Sequence, residues 1–196
     1  MIDYGVGNLF SIKRALERIN LEVKIVKSID DLADVDAIIL PGVGNFRSAS
    51  ENIEPMKDGI LSLLDDGVIL FGICLGMQLL FEWSGESHDM GLGLLEGRVV
   101  RLPASVKIPH MGWNTLRIVR WCRLLDGIDE MSYFYFLHSY HAEPADQGII
   151  VAKTSYGVEF TSVLEAGNIL GTQFHPEKSG KSGLRILRNF AEIVRR

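Results

Sequence analysis

Apolar positions in the first half of the chain alternate between short unbroken runs and helical spacing. The runs at residues 37–40 and 68–73 are typical of buried parallel strands, because such strands are covered on both faces. The segments with apolar residues at helical spacing are residues 9–20, 56–66 and 75–83. Residues 22–26 predict a further strand, and Ser28 is placed to cap a short helix. Strands that alternate with helices predict a parallel sheet with helices on both faces.

From Gly91 onward the pattern changes to short strands separated by turns. The predicted strands are residues 98–102, 115–119, 132–138, 149–154, 159–164 and 169–174. Residues 165–168, Glu-Ala-Gly-Asn, predict a hairpin turn between the last two. A closing helix is predicted over residues 182–195, and its inward positions are Leu184, Leu187, Phe190, Ala191 and Val194. The whole pattern predicts a single α/β domain over residues 1–196, with an open, mostly parallel sheet flanked by helices and added antiparallel strands in the second half.

Length and composition narrow the class of protein. The chain has 196 residues, of which 47% are hydrophobic, so it can bury a substantial core. The formal net charge is −5 and the 20 Lys and Arg residues are dispersed, which argues against a nucleic-acid partner. Neither a signal peptide nor an apolar run of about 18 residues is found, so we expect no membrane association. The segment before the turn at Tyr4 is short for a strand of about 5–6 residues, so we expect further residues upstream of Met1.

The run at residues 68–73 leads directly into a candidate nucleophile, Cys74. The pattern Gly72-x-Cys74-x-Gly76 matches the nucleophile elbow with cysteine in place of serine. In that motif the glycines let strand and helix approach closely while the central residue adopts a strained backbone conformation. A helix N-terminus at Cys74 would favour the thiolate and lower the pKa of its side chain. A cysteine after an apolar run is often only a small buried hydrophobe, but the two flanking glycines favour a nucleophile.

A nucleophilic cysteine needs a base, and residues 171–177 carry the matching chemistry. Pro176 disfavours helical backbone at His175, so the segment is predicted to be extended. Residues two apart on an extended segment point the same way, so Glu177 can orient His175. The predicted triad is therefore Cys74 as nucleophile, His175 as proton shuttle and Glu177 as orienting carboxylate. A lone His-Pro-Glu would more often be a turn, and only its combination with the cysteine elbow makes it specific.

The remaining cysteine and histidines indicate neither a disulfide nor a metal site. A disulfide between Cys122 and Cys74 would consume the nucleophile, so we expect a reducing, cytoplasmic location. His138 and His141 are the most suggestive pair of metal ligands, but they lack the i,i+4 helical context of a zinc motif. We therefore predict no metal ion and no cofactor.

Several motifs together resemble a known family. Gly-Ile-Cys-Leu-Gly-Met-Gln at residues 72–78, Pro-Gly-Val-Gly at 41–44 and His-Pro-Glu at 175–177 look like the triad-type, class I glutamine amidotransferases. Asp-Tyr-Gly-Val-Gly-Asn-Leu at 3–9, His-Met-Gly-Trp-Asn at 110–114 and Tyr-Phe-Leu-His-Ser-Tyr at 135–140 are similar to the glutaminase subunits of imidazole glycerol phosphate synthase, from histidine biosynthesis. The resemblance covers essentially the whole chain.

The resemblance implies an activity, a partner and a set of site residues. The activity is hydrolysis of glutamine to glutamate and ammonia, and the partner is a separate (β/α)₈-barrel cyclase subunit that receives the ammonia within a heterodimer. The implied residues are Leu75, Val43 and Gly44 for the oxyanion, Gln78, Glu86, Ser139 and Tyr140 for the substrate, and Asn8, Trp113, Asn114, Tyr135 and Lys178 for the partner surface. Glu82 is the alternative to Glu86 for the substrate amino group. Glycines on both sides of Val43 make rotation of a peptide plane easy, so we expect this loop to switch the second oxyanion donor.

Three other functions are also compatible with the sequence. One alternative is a glutaminase that serves a different synthase, such as the pyridoxal phosphate synthase complex, although the motifs at residues 110–114 and 135–140 favour the histidine pathway. A second is an idle binding module of the same fold, which would lack a working base. A third is a Cys-His peptidase, which would leave Gln78 and Glu177 unexplained.

Overall fold

The computed structural model describes residues 1–32 and 34–195. Within them the α-helices are α1 (Leu9–Glu17), α2 (Phe46–Ile53), α3 (Lys57–Asp65), α4 (Leu75–Gln78) and α5 (Gly180–Val194). The strands of the first half are β1 (Ala37–Leu40), β2 (Ile69–Ile73), β3 (Phe81–Ser84), β4 (Asp89–Met90) and β5 (Leu95–Arg101). Those of the second half are β6 (His110–Asn114), β7 (Arg117–Ile118), β8 (Phe134–His138), β9 (Tyr140–Pro144), β10 (Ile150–Tyr156), β11 (Val158–Ala166) and β12 (Ile169–Thr172).

A six-stranded sheet in the order β1-β2-β12-β11-β10-β7 organises the chain. β1, β2 and β12 run parallel, and β11, β10 and β7 are added to them in antiparallel pairs. Ile2 extends the parallel half, since it forms a parallel bridge with Val26 and its N–H donates to the Ile39 carbonyl at 3.1 Å. A second sheet, β4-β3-β5-β9, and the pair β6-β8 complete the strands. The predicted α/β class is therefore confirmed, with antiparallel additions in the second half.

Alternating side chains of the parallel strands divide the core into two clusters. Phe71 and Ile73 on β2 contribute to one cluster, together with buried residues of α1 and α5. Leu70 belongs to the other cluster, together with buried residues of α2 and α3. Both faces of β2 are thus covered, which explains why its sequence is a continuous apolar run rather than an alternating one.

The end of the chain follows its predicted pattern closely. β11 and β12 form the predicted hairpin, with Gly167 at φ +59° in its turn. β12 also pairs parallel with β2, so it joins the antiparallel half to the parallel half. On α5, Leu187, Phe190 and Ala191 are buried, and Leu184 and Val194 pack half-buried against the same cluster.

The predicted helix over residues 75–83 is wrong beyond its first turn. α4 ends at Gln78, and Phe81 to Ser84 form β3, which pairs parallel with β5. Leu79, Leu80 and Phe81 are all fully buried. A short run that is apolar on every side fits a buried strand as well as a helix, and periodicity alone does not separate the two. As a result, Glu82 lies on a strand and does not continue the face of α4 that carries Gln78.

Other elements also differ from the prediction. The strand expected over residues 22–26 is reduced to the bridge at Val26, and the strand expected over 115–119 is reduced to β7. β6 was not predicted, because Gly112 lies at its centre and Pro109 directly precedes it, and both residue types are typical of turns. The helix expected after Ser28 is a single 3₁₀ turn over Ile29–Leu32. Among residues 1–32 and 34–195, no helix combines the length and apolar character that a bilayer crossing requires.

Candidate active site

Cys74 occupies the turn between β2 and α4, at the carboxyl end of a parallel strand. Its backbone has φ +53° and ψ −106°, a strained conformation for a residue with a side chain. A Cβ on Gly72 would lie 2.7 Å from the Gly76 carbonyl oxygen, and one on Gly76 would overlap the carbonyl oxygen of Leu40. Strand and helix are therefore packed so closely that only glycine fits on either side of Cys74. This is the geometry of a nucleophile elbow.

The Cys74 sulfur has a polar environment on the inner side of a cleft. Its thiol donates to the Leu137 carbonyl at 3.6 Å. The side-chain amide of Gln173 donates to Sγ at 3.5 Å. Cys74 is 4% exposed, so contact with a substrate is through the cleft rather than through the open surface.

His175 and Glu177 form a buried pair just after β12. Nδ1 of His175 lies 3.0 Å from Oε1 of Glu177, and both side chains have zero exposure. Because the carboxylate accepts, Nδ1 carries a proton in either charge state of the ring, and Nε2 is the nitrogen left for proton transfer. Within the described residues Nε2 makes no hydrogen bond. The same Glu177 oxygen also accepts from the side-chain amide of Asn8.

Charge interactions favour an imidazolium at His175. Burial, the largest influence, lowers its pKa, but the charge of Cys74 together with the charge and hydrogen bond of Glu177 raises the pKa to about 10. By contrast, burial lowers the pKa of His138 to about 3, so this second histidine near Cys74 is neutral. Of the two, His175 is the one whose proton is coupled to the cysteine, which suits it to acid–base chemistry.

A cleft of about 300 Å³ opens at the sulfur. Its wall consists of Val43, Gly44, Cys74, Leu75, Gln78, Glu86, Pro109, Leu137, His138, Ser139 and Tyr140. The structure thus brings every predicted oxyanion and substrate residue to the wall that Cys74 occupies. A larger, more open groove of about 770 Å³ lies elsewhere and includes Glu82, but none of the triad.

The placement of the two glutamates favours Glu86 over Glu82. Glu86 lies on the cleft wall, burial raises the pKa of its carboxyl, and the Asn45 side chain donates to it at 3.2 Å. Glu82 instead accepts from the Gly97 N–H at 3.0 Å, outside the cleft. Glu86 is therefore the carboxylate that a ligand in this cleft would meet.

Val43 and Gly44 line the cleft, and the neighbouring Gly42 packs closely against the start of α4. The Tyr4 hydroxyl donates to the Pro41 carbonyl, and the Gly7 N–H donates to the Val43 carbonyl at 3.1 Å. Gly44 has φ +156°, which residues with side chains rarely adopt. The carbonyl of the Val43–Gly44 peptide is therefore directed toward Gly7, and rotating this peptide would break one hydrogen bond.

The predicted partner residues fall into three groups. Trp113 and Tyr135 are paired across β6 and β8 with ring centroids 5.8 Å apart, and the Lys178 ammonium lies 5.9 Å from the Tyr135 ring. These three form one surface, which we call the aromatic patch, and Trp113 is 55% exposed in it. Asn114 is separated from the patch, since its amide donates inward to the Ser155 carbonyl at 3.2 Å. Asn8 contacts Glu177 instead.

The aromatic patch is connected to the triad through main chain. The His175 N–H donates to the Tyr135 carbonyl at 2.9 Å. The Ser179 hydroxyl donates to the His175 carbonyl at 2.6 Å and accepts from the Tyr135 N–H at 2.9 Å. A displacement of Tyr135 would therefore change the position of the His175 main chain.

Two contacts at the site were missed by sequence reasoning. Gln173 was treated only as part of a strand, although its side chain is fully buried and reaches the Cys74 sulfur. Asn8 was assigned to the partner surface, although its amide orients the Glu177 carboxylate. A polar residue inside a predicted buried strand was the available signal for Gln173, since buried polar groups need partners.

Within the described residues, neither a metal site nor a second reactive cysteine accompanies the triad. No group of three or more His, Cys, Asp and Glu side chains there is placed to hold a metal ion. Cys122 is unpaired and buried, and burial raises the pKa of its thiol to about 11. Cys122 therefore remains a protonated thiol at neutral pH, unlike a reactive cysteine.

Comparison with known proteins agrees with this geometry. A family model described as glutamine amidotransferase class-I matches residues 1–194. The chain is 52% identical over 195 residues to the imidazole glycerol phosphate synthase subunit HisH of Methanocaldococcus jannaschii, which covers 99% of this chain and 98% of the relative. It is 49% identical over 196 residues to the HisH subunit of Methanothermobacter thermautotrophicus, with 100% and 98% covered.

Solved structures show the same fold at lower identity. A crystal structure of a glutamine amidotransferase is 21% identical with a TM-score of 0.77, covering 100% of this chain and 98% of that one. The structure of PurLQS from Thermotoga maritima is 21% identical with a TM-score of 0.76, covering 98% and 96%. The match over residues 1–194 and the near 50% identity along the whole length place the chain in the class I glutamine amidotransferase family, among the HisH subunits of imidazole glycerol phosphate synthase.

Proposed function

We propose that this chain is the glutaminase subunit of an imidazole glycerol phosphate synthase and that Cys74, His175 and Glu177 are its catalytic triad. The observation that carries the proposal is a cysteine in a strained elbow, on the wall of a cleft and coupled in charge to a buried His–Glu pair. The Cys74 thiolate attacks the side-chain amide carbon of glutamine and forms a tetrahedral adduct. Collapse of the adduct breaks the C–N bond and leaves a thioester.

His175 supplies the proton transfers of both half-reactions. As an imidazolium it donates from Nε2 to the departing nitrogen, which leaves as ammonia. As a neutral imidazole it then accepts a proton from water, which attacks the thioester and releases glutamate. Glu177 holds the ring and stabilises its charged form through the 3.0 Å hydrogen bond. Asn8 supports this role by donating to the same carboxylate.

The developing oxyanion needs donors on the cleft wall. The Leu75 N–H follows the nucleophile at the start of α4 and is the first proposed donor. The second would come from Val43 or Gly44, after rotation of an adjoining peptide plane. For Gly44 as donor the rotating plane is the Val43–Gly44 peptide, and the hydrogen bond from Gly7 to the Val43 carbonyl opposes its rotation by only about 0.5–1.5 kcal/mol, so a bound partner could shift the equilibrium. For Val43 as donor the rotating plane is the Gly42–Val43 peptide, which this hydrogen bond does not restrain.

Glutamine would lie along the cleft with its amide at Cys74. Glu86 is the proposed partner of the substrate ammonium group, because its carboxylate faces the cleft. Gln78, Ser139 and Tyr140 supply polar groups around the rest of the molecule. A cleft of about 300 Å³ with a carboxylate on its wall suits a small charged amino acid better than an extended peptide, which favours glutaminase over the peptidase alternative.

The ammonia acceptor would be a (β/α)₈-barrel cyclase subunit, bound as a heterodimer. The aromatic patch is the proposed contact surface, because it exposes Trp113 beside main chain that holds His175. The chain would act as a single domain, and its unpaired cysteines fit a reducing compartment such as the cytoplasm. No metal ion or cofactor takes part in the proposed reaction.

The direct test is release of glutamate from glutamine by the purified chain, with and without the barrel subunit and its ribotide ligand. We expect a low rate alone and a strong increase in the complex with ligand. An idle module would release no glutamate under either condition. Stimulation by a pyridoxal phosphate synthase barrel but not by the cyclase would identify the alternative synthase.

A second test separates the members of the aromatic patch. Trp113→Ala should weaken binding to the barrel by about 2 kcal/mol or more, as expected for a central aromatic anchor. Lys178→Ala should cost about 0–1 kcal/mol, because an exposed charge contributes little. The readouts are the dissociation constant and the ligand-stimulated glutaminase rate.

Trp121 provides a matched control for this test, since it is a 71% exposed tryptophan outside the patch. Trp121→Ala should leave both readouts unchanged. Negligible and equal effects of Trp113→Ala and Lys178→Ala would exclude this surface.

A further inference from the structure

Two buried glutamine side chains link the cleft wall to the Cys74 sulfur. Gln78 Nε2 donates to the Tyr140 carbonyl at 2.8 Å and to Oε1 of Gln173 at 3.1 Å. Gln173 Nε2 in turn donates to Cys74 Sγ at 3.5 Å. Gln173 is fully buried and Gln78 is 4% exposed, so solvent does not compete strongly for these bonds.

The direction of each hydrogen bond in this chain follows from its first member. A backbone carbonyl only accepts, so the group that Gln78 turns to Tyr140 must be its NH₂. That NH₂ can meet Gln173 only by donating, so Gln173 must present its oxygen to Gln78. The NH₂ of Gln173 is thereby left for the sulfur. The Tyr140 carbonyl thus determines the orientation of Gln78, and Gln78 determines the orientation of the Gln173 amide that contacts Cys74.

We propose that Gln173 is a further catalytic residue of this site, whose side-chain amide stabilises the Cys74 thiolate, and that Gln78 is the positioning residue that orients it. The inference rests on the proposed function only in that the thiolate is the nucleophile. It also narrows the expected role of Gln78 in substrate binding, because its nitrogen is engaged within the protein and only Oε1 remains for a ligand.

The two hydrogen-bond neighbours of the Cys74 sulfur favour different protonation states, one the thiol and the other the thiolate. The Leu137 carbonyl accepts from the thiol at 3.6 Å and has nothing to accept once the proton leaves. The Gln173 amide donates to sulfur, and a hydrogen bond to a charged acceptor is roughly twice as strong as one to a neutral acceptor. Loss of the proton therefore weakens one contact and strengthens the other.

Other charged and titratable groups also act on Cys74, and they come from several elements. These groups are Tyr4 beside residues 41–44, Glu86 and His138 on the cleft wall, and His175 with Glu177 after β12. None of them is altered when Gln173 is replaced. A change in the titration of Cys74 would thus report the loss of the amide itself.

The test is the pH dependence of Cys74 alkylation by iodoacetamide in the full chain, with the labelled peptide identified by mass spectrometry. Gln173→Met keeps the side chain's length without the donor. We expect the midpoint of the alkylation profile to move to higher pH, with a rate at neutral pH lower by roughly ten- to a hundred-fold. Gln78→Met should shift the midpoint in the same direction by less, because Gln173 keeps its donor but loses its orienting partner.

Gln147→Met is the matched control, since the Gln147 amide donates only to the Pro144 carbonyl at 2.8 Å, away from the cleft. Its midpoint should equal that of the wild type. If Gln173→Met does not fold, Gln173→Asn retains an amide but withdraws the donor by one methylene, and its midpoint should also rise. A wild-type midpoint in the folded Gln173 variant would overturn the proposal.

This readout needs neither glutamine nor a partner. An unchanged midpoint together with normal glutamate release would refute the role of Gln173 and leave the glutaminase proposal intact. A raised midpoint in a chain that releases no glutamate would refute the glutaminase and leave the role of Gln173 in place. A merely structural role would alter stability without moving the midpoint.

Discussion

Cys74→Ala should abolish glutamine-dependent activity of the assembled synthase, with a loss of about 10⁴-fold or more. The substitution removes the only atom in the cleft proposed to attack the amide, whereas the proposed cyclase site lies on the other subunit. The complex should therefore still make product from added ammonia at the wild-type rate. The measurement compares product formation with glutamine and with ammonium salts as nitrogen source.

The other triad members serve as graded controls for this prediction. His175→Ala should resemble Cys74→Ala, because Nε2 carries the proton in both half-reactions. Glu177→Gln should retain a measurable rate, since it alters ring orientation and charge but leaves both reacting groups in place. Loss of the ammonia-dependent activity in Cys74→Ala would contradict the division of chemistry between two subunits.

Gly76→Ala should lower the free energy of unfolding by about 3 kcal/mol or more and should also remove glutaminase activity. An added Cβ would overlap the carbonyl oxygen of Leu40, a backbone atom at the carboxyl end of β1. Neither β1 nor α4 can move without displacing the elbow that holds Cys74. Urea denaturation and the alkylation rate of Cys74 measure the two effects.

Gly85→Ala provides the comparison. A Cβ there would lie 3.4 Å from both the Trp83 ring and the Val99 carbonyl oxygen, which is close to ordinary contact. We expect a change in unfolding free energy of less than about 1 kcal/mol and a normal glutaminase rate. A Gly76→Ala variant with the wild-type denaturation midpoint would show that the elbow is less tightly packed than the structure indicates.

Local sequence was sufficient for the elbow and for the His–Glu pair. Gly72, Cys74 and Gly76 encode the elbow because steric fit at a strand–helix turn depends on residues within two positions of one another. His175 and Glu177 do pair as predicted, but the predicted extended segment is wrong, because Pro176–Lys178 form a 3₁₀ turn that starts directly after His175. The parallel first half was also predictable, since strands buried on both faces have continuous apolar sequences.

Only the tertiary structure decided where the helices and strands differ from those that the local hydrophobic pattern predicts. Residues 79–81 are fully buried, so periodicity does not decide their structure, and the pairing of β3 with β5, which begins at Phe81, determines where the chain leaves the helix. That single change moves Glu82 away from the cleft and leaves Glu86 on its wall. β6 forms because β8 offers it a partner, although a glycine stands at its centre and a proline directly precedes it.

In the active site, too, some features follow from the sequence and others only from the tertiary structure. The sequence by itself determined which residues could react, because a nucleophile, a base and a carboxylate are recognisable from residue type and spacing. Only the tertiary structure decided how they are supported. Gln173 lies 99 positions from Cys74, and Asn8 lies 169 positions from Glu177. Contacts over such separations depend on how β2, β12 and the N-terminal segment come together, and a hydrogen bond carries no signature in the local pattern of either partner.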